Sequence, residues 1–268
     1  MTETPASAQG EITGNVLFYS KPEPLNPTTH KGMGVKRIDG PFAFAAKHNL
    51  VPLTVSEFQP AAATAPIIFV GEEKTPLMVM GLNHDQNIFL GDNGLFDAGV
   101  YVPAYVRRYP FVFANDRKAG QSILCVDRAA PFFAEKDPEM AFFDDKGEPT
   151  EYTRNCLTFC NNYEAERQKT ESFVQLLKAL DLFESKESFH TPTNEDGSPG
   201  EPQKIADYFG VSAERLRELP ADKFLDLRQS GALDQIYAHL FSLVQWDRLV
   251  AITMFRQAQQ QGLVAANS

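Results

Sequence analysis

A chain of 268 residues with 43% hydrophobic content holds ample apolar material for a substantial core, as one large domain or two small ones. Thirty-five acidic against 25 basic residues give a formal charge of -10, which repels nucleic-acid phosphates and anionic membrane surfaces, so neither is an expected partner. No apolar run approaches the roughly 18 residues that span a bilayer, and the opening residues lack the basic start and apolar core of a signal peptide.

Three cysteines, Cys125, Cys156 and Cys160, are too few and too odd in number for a disulfide framework and fit a reducing compartment. The expectation is a cytoplasmic chain without membrane insertion, compatible also with a non-classical export route.

Residues 1–14, rich in Thr, Ala, Ser and Gly, read as a loose tail. From Asn15 to about Asp127, short apolar stretches separated by turn residues predict strands at 16–19, 50–55, 67–70, 77–80, 88–90, 111–113 and 123–126. Asp92-Asn93-Gly94 lies between two apolar stretches, and Asn-Gly supplies the positive φ values of a two-residue hairpin turn.

From Thr150 to about Glu184 the period changes. Tyr152, Cys156, Phe159, Cys160, Tyr163, Phe173, Val174, Leu177 and Leu180 recur at three and four, which predicts one long amphipathic helix. Glu164, Glu166, Arg167, Lys169 and Glu171 form its solvated face. Residues 191–203, with three prolines and two glycines, read as an exposed loop. Beyond it, 212–219, 221–230 and 232–259 read as helices punctuated by Pro220 and Gly231, with a frayed tail at 262–268.

The fold class is therefore α+β. A β-rich N-terminal part, 15–149, packs against the long helix and leads into a mostly helical part, 150–261, as one domain.

The strings F-A-F-A-A-K at 42–47, V-P-L-T-V-S-E-F at 51–58, Y-V-P-A-Y-V-R-R-Y-P-F at 101–111, F-F-D-D-K-G-E-P-T at 142–150 and G-A-L-D-Q-I-Y-A-H-L-F-S-L at 231–243 occur in this order. Together they make the chain resemble the SapC-like family, named from a surface-layer locus, over nearly all of 15–249. The resemblance implies a non-catalytic accessory or interaction protein of a bacterial cell-surface or outer-membrane system. Surface-layer export and receptor-linked nutrient uptake are the two forms this takes, in company with outer-membrane receptors and halogenase-like or cupin-like proteins. It brings a protein partner and transfers no catalytic residue to this chain.

The residues themselves carry no G-x-S-x-G elbow, H-E-x-x-H pair, phosphate loop or C-x-x-C pair. Gly32-Met33-Gly34 lacks the third glycine of a dinucleotide fingerprint, with Arg37 in its place. Cys156 and Cys160 share a helix face, but it is the apolar one, which favours a core role over a soft metal pair. Asp144, Asp145, Glu148 and Glu151 around Gly147 read as a helix-leading turn rather than a calcium loop. No cofactor or metal is expected. His239 reads as a helix side chain at the edge of the core.

Two clusters stand out. Tyr101, Tyr105, Arg107, Arg108 and Tyr109 are a candidate interaction surface, because aromatics and arginines anchor interfaces. The alternative has Tyr105 and Tyr109 lining a core while the arginines neutralise local carboxylates. His84 and Asp85 form a local acid-base pair, the candidate polar site of a second reading: an enzyme, or enzyme partner, outside the standard motifs.

A third reading is a DNA-binding regulator. Residues 205–219, with small Ala206 and turn-like Gly210, match a helix-turn-helix core. Glu214 and Glu218 beside Arg215 and Arg217 cancel most of its attraction for phosphate.

Overall fold

The computed structural model describes residues 17–116, 121–192 and 198–266. The tail expected at 1–14 and residues 193–197 of the expected loop lie outside the described residues. In chain order the strands are β1 (Pro22–Pro24), β2 (Gly34–Val35), β3 (Leu50–Pro52), β4 (Ile67–Val70), β5 (Thr75–Val79), β6 (Phe111–Asp116), β7 (Gln121–Asp127), β8 (Phe133–Ala134), β9 (Met140–Ala141), β10 (Phe183–His190) and β11 (Gln203–Val211). The helices are α1 (Phe58–Ala62), α2 (Ala104–Arg107), α3 (Glu151–Ala179), α4 (Ala213–Arg217), α5 (Ala221–Gln229), α6 (Ala232–Ser242) and α7 (Gln245–Ala266).

Strands and helices mix as the α+β class requires, and the chain divides into two compact units. The first takes Met1–Pro41 and Arg107–Glu164, the second Phe42–Val106 and Ala165–Ser268. The first unit holds two three-stranded antiparallel sheets, ordered β1-β7-β6 and β8-β2-β9. Its core gathers Val35, Phe111, Val126, Phe142, Phe143 and Cys160.

The second unit holds a five-stranded antiparallel sheet ordered β10-β11-β4-β5-β3. Phe58 and Phe69 meet edge to face at 6.1 Å, and Phe173 and Phe183 extend the cluster from α3 and β10.

The long helix ends earlier than its periodicity suggests. Asp181 takes φ +51°, the Asp181 N–H bonds the Lys178 carbonyl at 3.1 Å, and the Leu182 N–H bonds the Leu177 carbonyl at 3.0 Å. This pair of bonds is a Schellman ending made without glycine, so Phe183 already starts a strand. Two further readings give way. Residues 17–19 form a turn with Phe18 at φ +79°, and 88–90 contributes only the single bridge Leu90 to Phe96.

The hairpin at 92–94 does form. Its turn closes from the Gly94 N–H to the Gly91 carbonyl at 2.9 Å, with positive φ at Gly94 and not at Asn93, so the loop is longer than a two-residue turn. The helix expected over 232–259 divides at Leu243 and Val244, where i to i−3 bonds tighten the backbone, and α7 continues past Gly262 to Ala266.

The helix-turn-helix reading is overturned. Gln203–Val211 is a strand, paired along its length with β10, and only the short α4 follows it. Gly210 is not a turn residue. A Cβ there would come within 2.8 Å of the Lys186 side chain and 3.3 Å of His239 Nε2, so the missing side chain leaves room for both.

That imidazole joins the sheet. β11 and β4 pair at Phe209 and Phe69, and the same antiparallel register sets Val211 opposite Ile67. Instead of bonding directly, the Val211 N–H donates to His239 Nε2 at 3.0 Å, and His239 Nδ1 lies 3.0 Å from the Ile67 carbonyl. Since a carbonyl only accepts and an amide N–H only donates, the ring is the neutral Nδ1–H tautomer. It replaces one rung of the ladder. Ser242, one turn further on α6, takes the Ile67 N–H at 2.9 Å. His239 thus lies wholly inside the core, where the sequence placed it at the edge.

Burial pushes the His239 pKa down from 6.5 to about 3, against the favourable bond to Ile67. The unfolded chain takes up this proton near pH 6.5 and the folded chain does not, so the stabilisation present above pH 6.5 is lost as pH falls toward 3. The slope is on the order of 1 kcal/mol per pH unit. Urea unfolding across this range should show that slope in the wild type and a flatter one in His239→Gln, which should itself lose about 2 kcal/mol at neutral pH. Equal slopes would mean that His239 is not held neutral.

Candidate functional site

The V-P-L-T-V-S-E-F string passes from β3 through a tight 3-10 turn, Val55–Glu57, into α1, and this turn buries Glu57. Its carboxylate accepts four bonds. Thr54 gives its N–H at 2.9 Å and its hydroxyl at 2.7 Å, Tyr101 gives its hydroxyl at 2.8 Å, and Ala104 gives its N–H at 2.6 Å. An uncompensated buried carboxylate costs several kcal/mol, and four donors fill its lone-pair sites. Two strings distant in the chain therefore meet on one charge.

A second carboxylate repeats the arrangement in the first unit. Asp127, wholly buried at the end of β7, accepts the N–H groups of Ser20 at 2.9 Å, Lys21 at 2.8 Å and Ala129 at 3.0 Å, and the Tyr109 hydroxyl at 3.2 Å. Burial and the Asp127 charge push the Tyr109 hydroxyl well up, so it stays a donor.

The 101–109 segment is thus tied at each end to a buried anion. Tyr101 and Tyr105 belong to the second unit, and Arg107, Arg108 and Tyr109 to the first. Tyr105 and Tyr109 are buried, Tyr101 and Arg108 half-buried, and Arg107 exposed. The Arg108 guanidinium stacks 4.4 Å from the Tyr163 ring, and that of Arg107 lies 5.4 Å from the Phe159 ring. Both arginines line a groove of about 300 Å³ with Tyr152, Asn155 and Cys156. Of the five residues singled out in the segment, Arg107 is the exposed one.

His84 and Asp85 sit exposed in a turn of the second unit. The Asp85 charge acts on another histidine, His48, whose pKa burial lowers and Asp85 raises. His84 lines a cavity of about 500 Å³ with Ile68, Val79, Lys204, Asp207 and Trp246.

Cys160 is buried in the first unit's core and Cys156 is packed against it. Burial pushes the Cys156 thiol up to about 11 and that of Cys160 to about 12, the nearby Arg108 opposing the latter. Cys125 is pushed up to about 11 in the same way. Among the described residues no three His, Cys, Asp or Glu side chains come together to hold a metal ion. In the acidic turn, Asp144 Oδ1 takes the N–H groups of Lys146 and Glu148, each at 2.9 Å, and Thr150 Oγ1 accepts the Thr153 N–H at the start of α3.

Glu57 and Asp127 escaped the sequence reading. One signal was present for the first: Thr54 and Glu57 stand at the capping-box spacing. Asp127 has no such local mark, because its donors lie two residues ahead or across the fold.

Removing either carboxylate should cost more than removing a donor. Asp127→Ala is expected to lose about 3 kcal/mol, because it strands three backbone N–H groups, against about 1 kcal/mol for Tyr109→Phe. Glu57→Ala and Tyr101→Phe should rank in the same order by chemical denaturation, and a reversed order would contradict the network. Thiol titration at about pH 8 should find the three cysteines slow in the native protein and fast after unfolding.

The SapC family model matches residues 25–249, and the chain belongs to that family. No curated protein and no solved structure matches it. Among the described residues no helix is long and apolar enough to cross a membrane.

Proposed function

We propose, with SapC membership as the premise, that the protein is a non-catalytic accessory factor of a bacterial cell-surface or outer-membrane system, acting by binding a protein partner. The observation that carries this reading is Arg107. It is an exposed guanidinium backed by the Phe159 ring, beside the half-buried Arg108 and a groove of about 300 Å³, on a chain whose formal charge is -10. A local cationic and aromatic patch on an acidic protein selects for a carboxylate-bearing surface and discriminates against basic ones. Within the first unit the Asp127 carboxylate holds Tyr109, two residues after Arg107, so little ordering remains there to oppose binding.

Cysteine chemistry at this groove is disfavoured by the raised Cys156 and Cys160 thiols, which leaves recognition as its better use. A second reading, an enzymatic or ligand-binding role, rests on the cavity that His84 shares with Lys204 and Asp207.

Arg107→Glu separates these readings. Because Arg107 is exposed, the variant should unfold at the wild-type temperature, yet lose the envelope proteins that the tagged wild type captures from its native host. Retention of the same partners by the variant, or a wild type that captures none, would overturn the proposal. Lost activity in His84→Ala with partner capture intact would favour the second reading.

A further inference from the structure

The α6 and α7 helices are apolar on two sides. One stripe, Ile236, His239, Ser242, Trp246, Leu249 and Thr253, is buried in the second unit. On the other side Tyr237, Phe241, Val244, Arg248, Ala251 and Phe255 follow one another at spacings of four, three, four, three and four, and every one is exposed. Tyr237 is 40% exposed, Phe241 68%, Val244 68% and Phe255 63%. The Tyr237 and Phe241 rings stack on each other at 6.1 Å, presenting a continuous aromatic surface.

An outward face of a helix is ordinarily polar. The three-four alternation is the spacing by which one helix seats another, and a seam of this kind left open in water calls for an occupant.

Two charges on the same face, one on each side of Phe241, identify that occupant. Asp234, also exposed, stands seven residues before Phe241, and Arg248 stands seven after it. Neither has an ion-pair partner among the described residues, and the one hydrogen bond of the Arg248 side chain is to the Ala63 carbonyl at 3.4 Å. A second copy running antiparallel, with its two-fold axis at Phe241, would place Asp234 of each chain against Arg248 of the other. A parallel copy would set like charge on like charge.

We propose that the protein forms an isologous homodimer through this stripe, with Phe241 packed against its counterpart on the two-fold axis and two Asp234 to Arg248 pairs on either side of it. Tyr237, Phe241 and Val244, the large side chains between the two charges, expose on the order of 300 Å² per chain, well under half of the roughly 800 Å² per partner in a standard interface. A charge of -10 on each copy also opposes association. Both facts set the dimer in the micromolar range.

Sedimentation equilibrium on the full chain, from about 1 to about 300 µM so as to bracket a micromolar dissociation constant, should show a reversible monomer-dimer equilibrium. Phe241→Asp should remain monomeric throughout with an unchanged melting temperature. Asp234→Arg and Arg248→Asp should each weaken the dimer about tenfold, and the double variant should recover most of that loss, because the swapped charges again face each other. A monomer at every concentration overturns the proposal. So does a dimer that Phe241→Asp leaves intact, or a double variant weaker than either single one.

Discussion

Two buried carboxylates organise this protein. Glu57 in one unit and Asp127 in the other each accept four hydrogen bonds, and in each case one donor is a tyrosine hydroxyl from the 101–109 segment. A carboxylate stripped of water is tolerable only if every lone pair is met, so the backbone around each must adopt one geometry. Ser20, Lys21 and Ala129 are fixed by Asp127, and Thr54 and Ala104 by Glu57. Along the chain, the donors Tyr101 and Ala104 come before the change of unit at Val106 and Arg107, and Tyr109 comes after it. The exposed arginine that carries the functional reading lies two residues before Tyr109, in the first unit.

Much of the fold was legible from local pattern. The strands at 67–70, 111–113 and 123–126 and the start of the long helix are recovered, because apolar spacing reflects which faces are buried. What escaped was decided by backbone devices that leave faint sequence marks. Asp181 ends α3 in a left-handed conformation that glycine usually signals. The β10 strand reads F-E-S-K-E-S-F-H, whose charged residues have little strand preference of their own, and it exists through its pairing with β11. The decoy at 205–219 arose because Ala206 and Gly210 look like turn residues, when Gly210 lies in a strand and leaves space for the Lys186 side chain and the His239 ring.

The candidate site was legible in outline only. The 101–109 string was visible as an unusual gathering of tyrosine and arginine, but sequence could not tell an outward side chain from an inward one. Tyr105 and Tyr109 face the core, and the anchoring partners Glu57 and Asp127 come from elements distant along the chain. A carboxylate's worth to the fold depends largely on donors assembled by tertiary structure, and the capping-box spacing of Thr54 and Glu57 marks only part of one set.

The imidazole rung between β4 and β11 has a consequence for how such a sequence can drift. A neutral histidine ring donates and accepts along two fixed, divergent directions, and a side chain that replaces it must offer both bonds across the same gap. Position 239 is therefore bound to the separation of the two strands, and position 210 to the ring's clearance. A side chain at 210 would press on Lys186 and on the ring, and losing the ring would leave the Val211 N–H and the Ile67 carbonyl without their bonds. The two positions, on different elements, are thus joined through one ring.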